Sequence, residues 1–122
     1  MQLKKELVKD LERKYGSRYR RAYRAFMKKR VVRVVTKKGS SRALWLVYSP
    51  KRRRVHLVVP GEICSCEDFY MNSLIKGKID KCYHMIAQEM AESTGFYEEL
   101  VVREEELLDF LDSLYRKLVY AQ

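Results

Sequence analysis

Three cysteines and one of the two histidines fall in a single window of the chain, Cys64-Ser65-Cys66 and then Cys82-Tyr83-His84. The pattern is C-x-C-x15-C-x-H. Zinc takes four ligands in a tetrahedron and favours thiolate and imidazole; this window supplies three of the first and one of the second. An odd cysteine count with none left over argues against a disulfide framework. Buried thiols that merely fill core would not need two closely spaced pairs, one of them containing a histidine. The reading is one Zn²⁺ per chain, held by Cys64, Cys66, Cys82 and His84. Four such ligands leave no open position for water. The site is therefore expected to be structural and the chain not an enzyme, even with Glu67 and Asp68 beside the first pair.

The ligand spacing dictates the elements that must carry it. Cys64 and Cys66 share one face of an extended segment. Cys82 and His84 cannot converge inside a regular helix, where two residues turn through about 200°. Cys82 must precede the first turn and His84 lie just inside it. That helix entrance points partly positive N–H groups at the thiolates. Zinc with three thiolates has one net negative charge, which such donors stabilise. His56 is the competing fourth ligand. It lies on a strand at opposite parity to Val55, Leu57 and Val59 and reads as a surface side chain, since ligands come in close sequence pairs.

Around this window the periodicity is that of an α+β chain. Leu3, Leu7, Leu11 and Tyr15 recur every fourth residue and predict a short amphipathic helix. Gly16-Ser17 breaks it, with Ser17 as N-cap of a second helix to about Lys29 carrying Tyr19, Ala22, Tyr23 and Phe26 on its apolar side. The period then becomes alternating. Three strands follow, at 31–36, 43–48 and 54–59, joined by turns at 37–41 and 49–53, as an antiparallel meander. A helix from Cys82 to about Ser93 stops at Thr94-Gly95. Glu104-Glu105-Glu106 open a C-terminal helix with Arg116-Lys117 in its last turn. The organisation is one domain: a basic helical segment 1–30, a sheet 31–61, a zinc-finger turn and helix 62–95, and an acidic, leucine-rich helix 96–122.

Asp68-Phe69 follow the first ligand pair and Met85-Ile86-Ala87 the second. With the two strands that lead in, residues 43 to 91 resemble the SWIM zinc finger. The resemblance implies a ββα zinc module with Cys64, Cys66, Cys82 and His84 as ligands. A small chain built around such a finger is similar to Shu-complex subunits and their archaeal relatives. That likeness implies a RecA-family recombinase paralogue as partner and a role in homologous recombination and DNA repair on single-stranded DNA. Phe69 is expected to pack under the finger, and Asp68 to accept a hydrogen bond that orients a ligand.

The charge is segregated. Of 122 residues, 26 are Lys or Arg and 16 are Asp or Glu, a net charge of +10. Residues 13–61 hold seventeen Lys and Arg and no acid, whereas residues 62–122 hold six against thirteen acids. A long acid-free stretch is the footprint of a polyanion binder. Candidate phosphate contacts are Arg20, Arg21, Arg24, Lys28 and Lys29 on the second helix, and Lys51, Arg52, Arg53 and Arg54 on the second turn. Nucleic acid, DNA favoured, is the expected partner. The alternative is an adaptor whose basic face meets an acidic protein. Trp45 has opposite parity to Leu44 and Leu46, which leaves it either core or exposed and able to stack on bases. Leu107, Leu111, Leu114 and Leu118 have the seam spacing of helix–helix packing. They either close the core or dock a second copy or a recombinase-like partner. No apolar run approaches the roughly 20 residues of a membrane span, and nucleotide-loop and hydrolase motifs are absent. The expected location is cytoplasmic.

Overall fold

The computed structural model describes residues 5–36 and 43–120. The expected turn at 37–41 and Leu3 lie outside them, as do the side chains of Leu7 and Val8. Helix α1 (Lys5–Tyr15) buries Leu11 and Tyr15 from its apolar stripe. Gly16 ends it in the left-handed conformation, φ 60°, which only glycine adopts without strain. Helix α2 (Arg18–Met27) follows at once. Ser17 makes no side-chain capping bond and already has helical torsions, so it does not cap α2 as expected. Tyr19, Ala22, Ala25 and Phe26 are buried, the alanines letting α2 lie close to its neighbour. Tyr23 remains 38% exposed, although its spacing put it on the apolar side.

The sheet has five strands rather than three, in the order β4-β3-β2-β1-β5. Strands β1 (Val31–Thr36), β2 (Leu44–Tyr48) and β3 (Val55–Val59) fall where alternation and β-branching predict them. β1 pairs antiparallel with β2, and β2 with β3. The two-residue β4 (Ile63–Cys64) adds antiparallel to β3. β5 (Glu98–Val102) adds parallel to β1 on the other edge. Here Glu99 stands opposite Arg33 in register and bonds it at 2.9 Å. The acidic part of the chain thus closes against the basic part.

Helix α3 (Tyr83–Thr94) is buried on most sides, at His84, Met85, Ile86, Ala87, Gln88, Met90 and Ala91. Gly95, φ 77°, stops it at the expected place. α2 and α3 cover one face of the sheet, where Val31, Trp45, Val47 and Val58 join the main core. Helix α4 (Leu107–Tyr120) covers the other, where Val32, Val34, Leu46, Val55 and Val102 pack with Leu114. Both faces are therefore covered. That corrects the exposed option for Trp45: it is 5% exposed, with its ring edge-on to Tyr97 at 5.0 Å. No helix among the described residues is long and apolar enough to cross a membrane.

Candidate metal centre

The four predicted ligands arrive from three places. Cys64 ends β4, whose pairing with Val58 turns its side chain toward α3. Ser65 holds the crossing: its N–H donates to the Leu57 carbonyl at 3.0 Å, and its Oγ accepts from the Leu57 N–H at 2.9 Å. Cys66 follows, one strand period on. Cys82 is the N-cap of α3, extended at φ −79° and ψ 171°, and His84 lies inside the first turn. This is the geometry that the two-residue spacing requires. All four side chains are buried, and their ligand atoms lie within 4.8 Å of one another.

The donor set fits a metal. His84 Nδ1 is 3.8 Å from Cys82 Sγ, while its Nε2 is buried with no hydrogen-bond partner among the described residues. Buried polar atoms are rarely left orphaned, and a bound cation is one established remedy. The thiols tell the same story. Hydrogen bonds from Cys64 and Cys82, and the Phe69 N–H at 3.3 Å, hold Cys66 far below the ordinary thiol range. Cys64 is pushed far up, by its bonds to Cys66 and Cys82 first and burial second. Cys82 is pulled down by its bond with Cys64, but the bond with Cys66 and burial outweigh this and raise it to about 12. Three thiols this close cannot all ionise by themselves. A divalent cation removes the conflict by taking all three as thiolates. A buried Cys₃His cluster of this kind could hold a metal ion, and its thiolate and imidazole donors are those that zinc favours.

Residues outside the ligand set differ from expectation. Phe69 is buried beneath the cysteines, inside a π-helical segment, Phe69–Ile75, in what reads as a loop. Asp68 orients no ligand: it is exposed and accepts from Asn72 Nδ2 at 2.5 Å. His56 is not a surface residue. Its ring packs on His84 with centroids 4.1 Å apart, and Tyr83 packs on the same imidazole at 4.0 Å. Its register opposite Val47 turns it to the face that α2 and α3 cover. Burial first, then the His84 charge, lowers its pKa to about 4.

The basic candidates lie on the surface of α2 and of the second turn. Arg20, Arg21, Arg24, Lys28 and Lys29 are exposed, and no ion pair among the described residues involves them. The second turn meets the end of α2 here: Arg52 donates to the Lys29 carbonyl at 3.3 Å and lies 4.9 Å over the Tyr48 ring. Arg52 also pairs with Glu98 at 3.1 Å, so a phosphate would compete for it. Lys51, Arg53 and Arg54 are exposed. The leucine stripe divides. Leu114 is 6% exposed and belongs to the core, Leu107 is half-buried, and Leu111 is 39% exposed. Leu118 lies in α4 with its side chain outside the described set. Leu108, beside the seam, is 80% exposed.

No protein-family model matches the chain, and no curated protein or solved structure matches it.

Proposed function

We propose that the chain is a zinc-stabilised, non-enzymatic nucleic-acid-binding module. In it the Cys₃His site is the finger of a SWIM-type ββα unit formed by β3, β4 and α3. The observation that carries the reading is the acid-free run 13–61: Arg20, Arg21, Arg24, Lys28 and Lys29 and the second-turn Lys51, Arg53 and Arg54 stand exposed, and no ion pair among the described residues involves them. Surfaces that do not bind polyanions normally interleave the two signs. Zinc contributes by fixing the turn between β4 and α3, which packs α2 in place. The C-x-C and C-x-H spacing supports the SWIM assignment. By that resemblance the module is an accessory to a RecA-family recombinase paralogue in recombination or repair of DNA.

The test is a salt titration of the zinc-loaded chain on single- and double-stranded oligonucleotides. Each phosphate contact contributes a slope of about −0.7 to −0.9 in log affinity against log salt. A slope of several units is expected. A flat one overturns the nucleic-acid reading.

A second reading is a protein adaptor. It draws on exposed apolar side chains: Tyr70, Leu74 and Ile75 on the π-helical segment are 56%, 59% and 61% exposed, and Leu108 stands out from α4. Apolar side chains this exposed suit a protein partner better than phosphates. Either set of side chains could meet a recombinase paralogue or a second copy, so the two readings combine in one accessory factor.

A further inference from the structure

Among the described residues, those other than glycine with a positive φ are Lys29 at 54°, Lys51 at 61° and Arg52 at 53°. All are basic, in a chain where 26 of 122 residues are Lys or Arg. The left-handed region brings Cβ too close to the following carbonyl, so glycine or asparagine normally fills such positions. Lys29 ends α2 in the two-bond pattern that glycine usually closes. Its N–H donates to the Phe26 carbonyl at 3.1 Å, and the Arg30 N–H donates to the Ala25 carbonyl at 2.9 Å. Lys51 and Arg52 lie in the turn between β2 and β3. Strain kept at three basic positions marks side chains retained for what they bind rather than for the fold.

Direct contacts bring the two strained turns together. Arg52 Nη2 donates to the Lys29 carbonyl at 3.3 Å and to Glu98 Oε2 at 3.1 Å. The Arg52 guanidinium lies 4.9 Å over the Tyr48 ring, and the Lys29 ammonium lies 5.1 Å over the Phe96 ring. Both rings are half-buried and give the two exposed side chains a fixed support. Both cations thus rest on the short segment 96–98 that leads into β5. Lys29 and Lys51 enter no ion pair among the described residues. Glu98 is the carboxylate drawn to this junction, and both side chains of its pair with Arg52 are 46% exposed. Exposed pairs of this kind hold weakly.

We propose that Lys29, Lys51 and Arg52 form a seat for a backbone phosphate of a nucleic-acid strand, and that the Glu98 carboxylate holds its Arg52 side in the free chain. The carboxylate marks where an anion is accepted. A phosphate offers two oxygens to the parallel N–H donors of the guanidinium, and the two unpaired lysines add to the attraction that Glu98 alone cannot use. No bond is made or broken: one ion pair exchanges for another. Glu98 therefore acts as an internal competitor that a strand must displace, and it lowers the affinity of the free chain for any single phosphate. This inference deepens the nucleic-acid reading, on which it rests for the source of the phosphate; it names the residues that grip the strand and the one that competes with it.

The experiment titrates the full zinc-loaded chain with a fluorescent thymidine oligonucleotide and records thermal unfolding of every variant. Lys29→Gly and Lys51→Gly relieve left-handed strain, so each should keep or raise Tm while binding the strand about threefold or more weakly. Lys29→Asn and Lys51→Asn, which also accept that conformation, are the second pair of variants and should behave alike. Glu98→Gln should bind about threefold more tightly, and the gain should vanish when Arg52→Gly is added. Glu99→Gln removes the same charge one residue away, from a pair with Arg33, and should change affinity by less than about twofold. Glycine and asparagine variants that all lose Tm, or that all bind like the wild type, overturn the seat. So does a Glu98→Gln gain that is absent, that Glu99→Gln equals, or that persists without Arg52. Inorganic phosphate is titrated in parallel at constant ionic strength; binding of it with none of the oligonucleotide overturns the strand assignment. A steep wild-type salt slope with unchanged lysine variants sinks the seat and leaves the nucleic-acid reading standing, whereas a flat wild-type slope sinks both.

Discussion

Leu111→Glu and Leu114→Ala probe the same helical stripe and should behave oppositely. Leu114 is 6% exposed and packs with Val32, Val34, Leu46, Val55 and Val102. Cutting it to alanine removes about three methylene equivalents from the sheet face that α4 covers. Fully buried leucines cost about 2–5 kcal/mol in this exchange. Leu114 belongs to the smaller of the two cores, under one helix, so the lower half applies, about 2–3 kcal/mol. For a chain of this length that corresponds to roughly 10 °C in Tm. Leu111, at 39% exposure, already keeps much of its surface in water, and glutamate there should cost under about 1 kcal/mol. The assay is denaturant unfolding of both zinc-loaded variants, with sedimentation and recombinase-paralogue pull-down alongside. Leu111→Glu should keep its midpoint and lose any partner or dimer that uses the α4 surface. Equal destabilisation by the two variants would refute the division of the stripe and make α4 core throughout.

Trp45→Ala should lose about 3–5 kcal/mol of stability, because the indole fills the core beside Tyr97, and the salt slope for nucleic acid should not change in any remaining folded protein. Replacing Arg20, Arg21 and Arg24 by alanine should flatten that slope by about two to three units in a binding titration. Arg53→Ala with Arg54→Ala should remove more per residue than Arg52→Ala, since Arg52 is partly neutralised by Glu98. His56 stays neutral in the fold down to about 4 but would protonate near 6.5 when unfolded. Its contribution to stability is complete above about pH 6.5 and is lost as the pH falls toward 4. Measured as the difference between wild type and His56→Phe, which cancels the loss from protonated metal ligands, that window should take about 1–2 kcal/mol from the wild type, after allowance for partial exposure.

The metal centre was legible because ligand chemistry constrains both residue type and spacing. Two positions separated by one residue converge only on extended chain or across a helix boundary, and the Cys82–His84 pair takes the second option. The strands β1 to β3 were legible from alternation and short turns. What escaped is non-local. β5 carries Glu98 and Glu99, poor strand formers, and exists through parallel pairing with a strand more than sixty residues earlier in the chain. Its one local trace is Leu100-Val101-Val102. The same gap left Trp45 undecided and misplaced His56. Alternation says that Trp45 and His56 face away from Leu46 and Leu57, but not what lies there. With α4 on one side and α3 on the other, both faces are interior. The π-helical segment left no periodicity to find, as its seven residues complete fewer than two turns.

The measurement that tests the central claim most directly is the metal content and chelator response of the purified chain. Native mass spectrometry should find one zinc per chain. The three thiols should resist alkylation, and chelation should abolish the cooperative unfolding transition and release the thiols together. Cys82→Ser and His84→Ala should each lose the metal or bind it far more weakly. A chain that keeps its unfolding midpoint in excess chelator, or that holds zinc fully after both substitutions, would contradict the account.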